Sequence, residues 1–217
     1  MRRVLQVMSR RWVLVVVACL GSVTSPIANG ANDAVMLEVS QGTVTFEVGT
    51  NVPALRVHGK SNAVKAHARV GLGPEGSAVL EGIEASVPVK SLGTGLELRD
   101  EHMRKYIFTK PDGQIPDLRF SAERAACPRM ESGQRIKCAV SGELVIRETA
   151  RPFTIALTLI EENGNVRAAG DGIVKLSAYG IEQPSQLGVR TADDVKLRLE
   201  FTARRPASQM AARSGDR

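Results

Sequence analysis

A chain of 217 residues with 43% apolar and 24% charged side chains has the balance of one globular domain with a tail, which excludes a disordered chain. Its formal charge of +6 invites a polyanion as partner, but Arg2, Arg3, Arg10 and Arg11 sit in the first 30 residues and leave 25 basic against 23 acidic side chains. A body of net charge +2 has little field to steer toward nucleic acid, and that class is set aside.

Residues 1–30 read as a secretory signal peptide: a basic region through Arg11, an apolar run from Trp12 to Leu20, then small and polar residues up to Gly30, where cleavage is expected. The run is about half of what a membrane-crossing helix requires, and no later stretch approaches it, so no transmembrane segment is expected after signal removal. The expected location is periplasmic. Val16-Val-Ala-Cys19 also loosely matches a bacterial lipobox, so a chain lipid-anchored through Cys19 is the alternative.

From Ala34 onward apolar and polar residues alternate, as in strands with one dry and one wet face. In chain order the alternating sets are Val44, Phe46, Val48; Leu55 to His58; Val64, Ala66, Ala68, Val70; and Ile83, Ala85, Val87, Val89. A helix interrupts them near residues 95–108, where Leu96, Arg99, Met103 and Tyr106 fall near helical spacing, with Thr94 as N-cap and Pro111 beyond the end. The alternation resumes with Leu118, Phe120, Ala122; Ile136, Cys138, Val140; Glu143 to Arg147; Phe153, Ile155, Leu157, Leu159; Val166 to Lys175; and Val195, Leu197, Leu199, Phe201. Turn residues separate them at 71–76, 131–133, 162–165 and 183–185, and residues 205–217 read as a flexible C-terminal tail.

Two cysteines, Cys127 and Cys138, remain in the body of an exported chain and are expected to form a disulfide clamping the two arms of a hairpin. Eight or so alternating strands with one helix must stack as two sheets or curl into a barrel. A barrel of about eight strands is of a size either to be filled by side chains or to hold one small ligand, and the alternation leaves both open.

Catalytic patterns are wanting. There is no Gly-x-Ser-x-Gly, phosphate loop or dinucleotide fingerprint in its structural context. His102 sits beside Asp100 and Glu101, but neighbours on a helix point about 100° apart, so Arg99 and Asp100 read as ties from the helix start to the barrel rim. His58 and His67 fall on polar strand faces without metal-ligand spacing. Neither an enzyme nor a metal or cofactor site is expected.

Four pieces in order resemble one family. Ser91-Leu-Gly-Thr-Gly95 with Arg99-Asp-Glu-His102, then Pro116 to Ser121, then Gly142 to Pro152, and Tyr179-Gly-Ile181 resemble the YceI-like periplasmic polyisoprenoid-binding proteins, over about Gly42 to Arg204. The resemblance implies an all-β fold, an extended eight-stranded antiparallel β-barrel of lipocalin-like form over residues 31–204, whose apolar tunnel holds a long isoprenoid or quinone-type lipid without chemistry. Arg147-Glu148 and Lys175-Leu176 depart from the family's usual His-Gly and Asp-Arg, which bears on the head group more than on the fold.

The inward apolar residues expected to touch such a lipid are Phe46, Val57, Val87, Leu92, Leu96, Met103, Tyr106, Phe120, Leu144, Ile155, Leu157 and Tyr179. A transient contact with a membrane or an envelope protein is the further expectation. The alternative is a solid-cored barrel that binds another exported protein through its outer face, with Val145, Ile160 and Val166 as candidate contacts.

Overall fold

The computed structural model describes residues 34–206; the expected signal peptide with Cys19, and the tail from residue 207, lie outside the described residues. The alternating segments form strands β1 (Val35–Thr50), β2 (Arg56–Ser61), β3 (Lys65–Leu72) and β4 (Ala78–Val87). Beyond helix α1 (Glu97–Met103) come β5 (Leu118–Cys127), β6 (Arg135–Ile146), β7 (Thr149–Glu162) and β8 (Asn165–Lys175), then the two-residue β9 (Ser185–Gln186) and β10 (Val189–Arg204). Every pairing between these strands is antiparallel.

The order β1-β3-β4-β5-β6-β7-β8-β10 closes on itself through β1 and β10, giving an eight-stranded barrel. Closure removes the edges that an open sheet would present. One edge of β1 serves two partners in succession, β3 along Val35–Glu38 and β2 along Val44–Gly49, so β2 continues the place of β3 in the wall at the other end of β1. β9 is a short flap on β10.

The β5–β6 seam has the shortest ladder in the ring. Its ladder runs only from Arg119–Val145 to Ser121–Glu143, and beyond that point the strands are joined by the Cys127–Cys138 disulfide, with Cα atoms 5.0 Å apart. Gly142 permits the approach where the ladder stops: a Cβ there would meet the Ser121 carbonyl oxygen and stand 2.8 Å from the Ala122 Cβ. The expected hairpin clamp is thus present, between the arms where backbone pairing gives out.

The β3–β4, β5–β6 and β7–β8 connections lie at one end of the barrel, and α1 lies at the other. The helix continues into a wider turn over Arg104–Phe108. Thr94 is not its N-cap: the capping position is Leu96, with no side-chain cap. Asp100, one turn in, instead accepts hydrogen bonds from the Thr94 backbone N–H at 2.7 Å and from its hydroxyl at 2.5 Å, and Arg99 Nε donates to Thr94 Oγ1 at 2.8 Å. The strand-to-helix passage is therefore fixed from within the helix, and Arg99 and Asp100 are the expected ties. Gly93, just before Thr94, pairs with Lys60 of β2 through two backbone bonds.

Candidate functional site

The interior is divided along the barrel. In the half away from α1, the small residues Ala122, Ala125 and Ala168 pack with Ile136, Val140, Leu159 and the disulfide into a solid core. In the half beneath α1 lies an apolar chamber of about 190 Å³. Its walls are Val44, Phe46 and Val48 of β1, Val87 of β4, Leu118 and Phe120 of β5, and Leu144 and Ile146 of β6. Phe153 and Ile155 of β7, Val174 of β8, and Val195, Leu197 and Leu199 of β10 complete the ring. Leu92, Met103, Ile107, Phe108 and Leu176 form the roof. The polar lining residues are Ser86, Arg119 and Thr191, the first two being cross-strand partners on β4 and β5. Phe120 and Phe153 meet edge to face with centroids 6.0 Å apart, an arrangement favoured by the ring quadrupoles. Gly172 leaves room for this pair, since a Cβ there would stand 2.5 Å from the Phe153 ring.

The roof is held by charges on its outer side. Arg147, in the β6–β7 turn, donates from Nε to the Ile107 carbonyl at 2.7 Å and from its guanidinium to the Tyr106 carbonyl at 2.6 Å, meeting acceptors that a helix end leaves open. Glu148 bonds Lys110 at 2.6 Å, and Lys110 also bonds Asp112 at 2.9 Å; these carboxylates raise the Lys110 pKa above its ordinary value. The positions that depart from the family pattern at 147–148 are therefore those that tie the hairpin to the roof. On the other side, Arg151 Nε donates to the Ala178 carbonyl, and Asp193 accepts from both the backbone N–H and the hydroxyl of Ser177.

A larger depression, about 610 Å³, lies on the outer face of β7, β8 and β10. Most of its charges are paired, Arg167 with Glu162 at 3.1 Å and Arg198 with Asp171 at 3.4 Å and Glu200 at 2.9 Å. The chamber is the better candidate because its dry walls offer what the outer depression lacks: apolar surface withdrawn from water. Among the described residues, no three His, Cys, Asp or Glu side chains gather in a way that could hold a metal ion, and no helix is long and apolar enough to cross a membrane. His102 packs edge-on to Tyr106, with ring centroids 5.7 Å apart.

The family model for the YceI-like domain matches residues 36–203. The chain belongs to the YceI-like family. Among curated proteins none matches in sequence. Solved structures of similar fold include Burkholderia cenocepacia BcnA, at 17% identity and a TM-score of 0.55 over 74% of this chain and 95% of that one. A polyisoprenoid binding domain from Saccharophagus degradans implicated in plant cell wall breakdown gives 12% identity and a TM-score of 0.55 over 79% and 99%. The Campylobacter jejuni YCEI protein gives 18% and 0.51 over 70% and 86%. At these identities the likeness shows the fold.

In this YceI-like barrel, seven of the residues expected to contact lipid stand on the chamber: Phe46, Val87, Leu92, Met103, Phe120, Leu144 and Ile155. Five stand elsewhere. Val57 is on β2, opposite Val48 and half-buried, but does not line the chamber. Leu96 is extended backbone before the helix and is exposed. Tyr106 is 55% exposed with Lys105 over its ring: the wider turn after Met103 shifts the helical phase, so Ile107 and Phe108 take the inward places that regular spacing gave to Tyr106. Leu157 packs against the solid half. Tyr179 is buried behind the roof beside Leu176, and burial raises its phenol pKa.

Val44, Val48, Leu118, Phe153, Val195, Leu197 and Leu199 were missing from the expected set although they share the same inward phase, which the alternation already carried. Ile107, four residues after Met103, was within reach of helical spacing, whereas Phe108 and Leu176 lie in irregular helical turns, where no period announces them. The apolar hollow described here is a chamber in the half beneath α1, and the other half holds a second cluster of buried apolar side chains.

Proposed function

We propose that this YceI-like protein is an exported, noncatalytic carrier that holds the tail of an isoprenoid-type amphiphile, polyprenyl or quinone-like, in the chamber beneath α1. The observation that carries the reading is a wall built from aliphatic and aromatic side chains, with polar residues confined to Ser86, Arg119 and Thr191. Such a wall binds hydrocarbon and leaves a polar head outside. Burying a methylene is worth about 0.8 kcal/mol, so a ten-carbon tail supplies roughly 8 kcal/mol before the cost of immobilising it. The chamber of about 190 Å³ suits the leading prenyl segment of a longer chain. The Saccharophagus degradans domain is a polyisoprenoid binder, and that class of ligand agrees with this chemistry.

Export to the periplasm, by way of the signal segment or a lipid anchor on Cys19, is part of the same reading and is supported by the disulfide. The hollow disfavours the alternative of a solid-cored interaction module, and Val145, Ile160 and Val166, its candidate contacts, are half-buried. Organic extraction of protein purified from its own host, followed by mass spectrometry, is expected to release a prenyl-chain lipid in near-stoichiometric amount. Protein that carries none and takes up neither polyprenols nor quinones would refute the carrier role.

A further inference from the structure

Large apolar side chains left in water are distributed unevenly on this barrel. Among the described residues eight are exposed, and seven of them, all but Leu72, belong to the roofed half. Three occupy the tips of two adjoining turns: Val52 and Leu55 between β1 and β2, and Leu187 between β9 and β10. The tips form one unit. Asn51 donates from its side chain to the Gly188 carbonyl at 3.0 Å and accepts from the Arg190 N–H at 2.8 Å, and its own backbone N–H donates to the Arg190 carbonyl at 2.9 Å.

Leu187 is the residue that folding explains least. It is 97% exposed and sits at φ 51°, in the left-handed region that a two-residue hairpin turn normally gives to Asn, Asp or Gly. It bears both a backbone cost and the cost of an uncovered aliphatic side chain. When a residue breaks two local rules with no contact in return, the return is expected from outside the molecule.

The neighbouring charges indicate what that is. Residues 50–57 and 185–192 contain Arg56 and Arg190 and no acidic residue, although Arg56 is engaged by Glu47 at 3.2 Å. Separate apolar points standing up from a rigid base, flanked by cations, match a lipid interface, where side chains insert singly between headgroups and arginines meet phosphate. A protein partner would more commonly be met by a contiguous patch. Leu96 and Leu98 are also exposed in the roofed half, but they stand beside the acidic Glu97 and Glu101 and are not part of this set.

We infer that the Val52–Leu55 and Leu187 tips are a membrane-docking edge, which sets the roofed end of the barrel against an anionic bilayer. The inference is distinct from cargo binding, since docking requires no isoprenoid. It also orients the molecule: the chamber faces the bilayer and the disulfide end faces away.

The test uses the full chain, produced in an exporting host, with a tryptophan placed at Leu187→Trp or, as the opposite-end control, at Leu72→Trp, each read against the unsubstituted chain so that any signal from Trp12 is subtracted. Both sites are so exposed that the fold is undisturbed. Vesicles of phosphatidylethanolamine with a minority of phosphatidylglycerol, free of isoprenoids, are expected to shift the emission of the Leu187→Trp chain to the blue and to leave the Leu72→Trp chain unmoved. The Leu55→Ser, Leu187→Ser double variant is expected to lower the vesicle partition coefficient at least tenfold. A Leu187→Trp emission that vesicles do not shift, or equal shifts at both ends, overturns the membrane edge and assigns the tips to a protein; either result leaves the carrier reading standing or falling on lipid extraction alone.

Discussion

Asp100 and Asp193 show how two carboxylates hold a roof over an apolar space. Asp100 is buried, and its oxygen gathers the N–H and O–H of Thr94, so the segment that leads into α1 cannot drift from the helix it starts. The sequence named Arg99 and Asp100 correctly as ties but made Thr94 a cap, because capping statistics see a threonine before a helix and not the carboxylate one turn later that occupies it. Asp193 accepts two bonds from Ser177, and these bonds hold its carboxyl below the ordinary value of 3.8. A carboxylate whose pKa is depressed by folding stabilises the fold at every pH above its unfolded value, and that stability is lost as pH falls from about 3.8 through the folded value. The Asp193→Asn variant is therefore expected to be less stable than the parent at neutral pH and to show a shallower loss of stability on acidification, measured by urea unfolding across pH.

At the scale of elements, strands were legible and irregular helices were not. Alternation marks a strand wherever one face is dry, and the ring strands fall where it runs. The helix near 95–108 was legible as a helix, yet its last turn winds more widely, which exchanges Tyr106 for Ile107 and Phe108 at the chamber; Ile107 keeps helical spacing from Met103, but the place of Phe108 has no signature in spacing. The short turn Leu176–Tyr179 and the strand Ser185–Gln186 were missed for a related reason: they are too brief to show a period. The β5–β6 seam is the element most dependent on a single bond. With the two cysteines separated by 11 positions, closing the loop contributes roughly 3 kcal/mol on the chain-entropy model. The Cys127→Ala, Cys138→Ala double variant is expected to lose about that much in denaturant unfolding, and the amides that bond across the short β5–β6 ladder, Arg119–Ser121 with Glu143–Val145, are expected to exchange faster than those of the long β1–β10 ladder. Uniform exchange across all seams would show that the disulfide is not what holds this one.

Taken whole, the barrel is asymmetric from end to end: packed around small residues and a disulfide on one side, hollow beneath a bonded roof on the other. Alternation could not distinguish filled from hollow, because it records which way a side chain points and not whether opposite walls meet. Larger side chains line the hollow half while alanines fill the solid half, so residue size along a strand misleads unless the separation of the walls is known. The central claim is that the chamber takes hydrocarbon, and calorimetric titration with a short prenyl alcohol tests it most directly, using the parent and a Leu197→Trp variant whose indole fills the space. The parent is expected to bind one equivalent saturably with a negative heat-capacity change, and the filled variant, folded to the same extent by circular dichroism, to bind at least tenfold more weakly. Equal affinity in both proteins, or no saturable heat in the parent, would contradict the account.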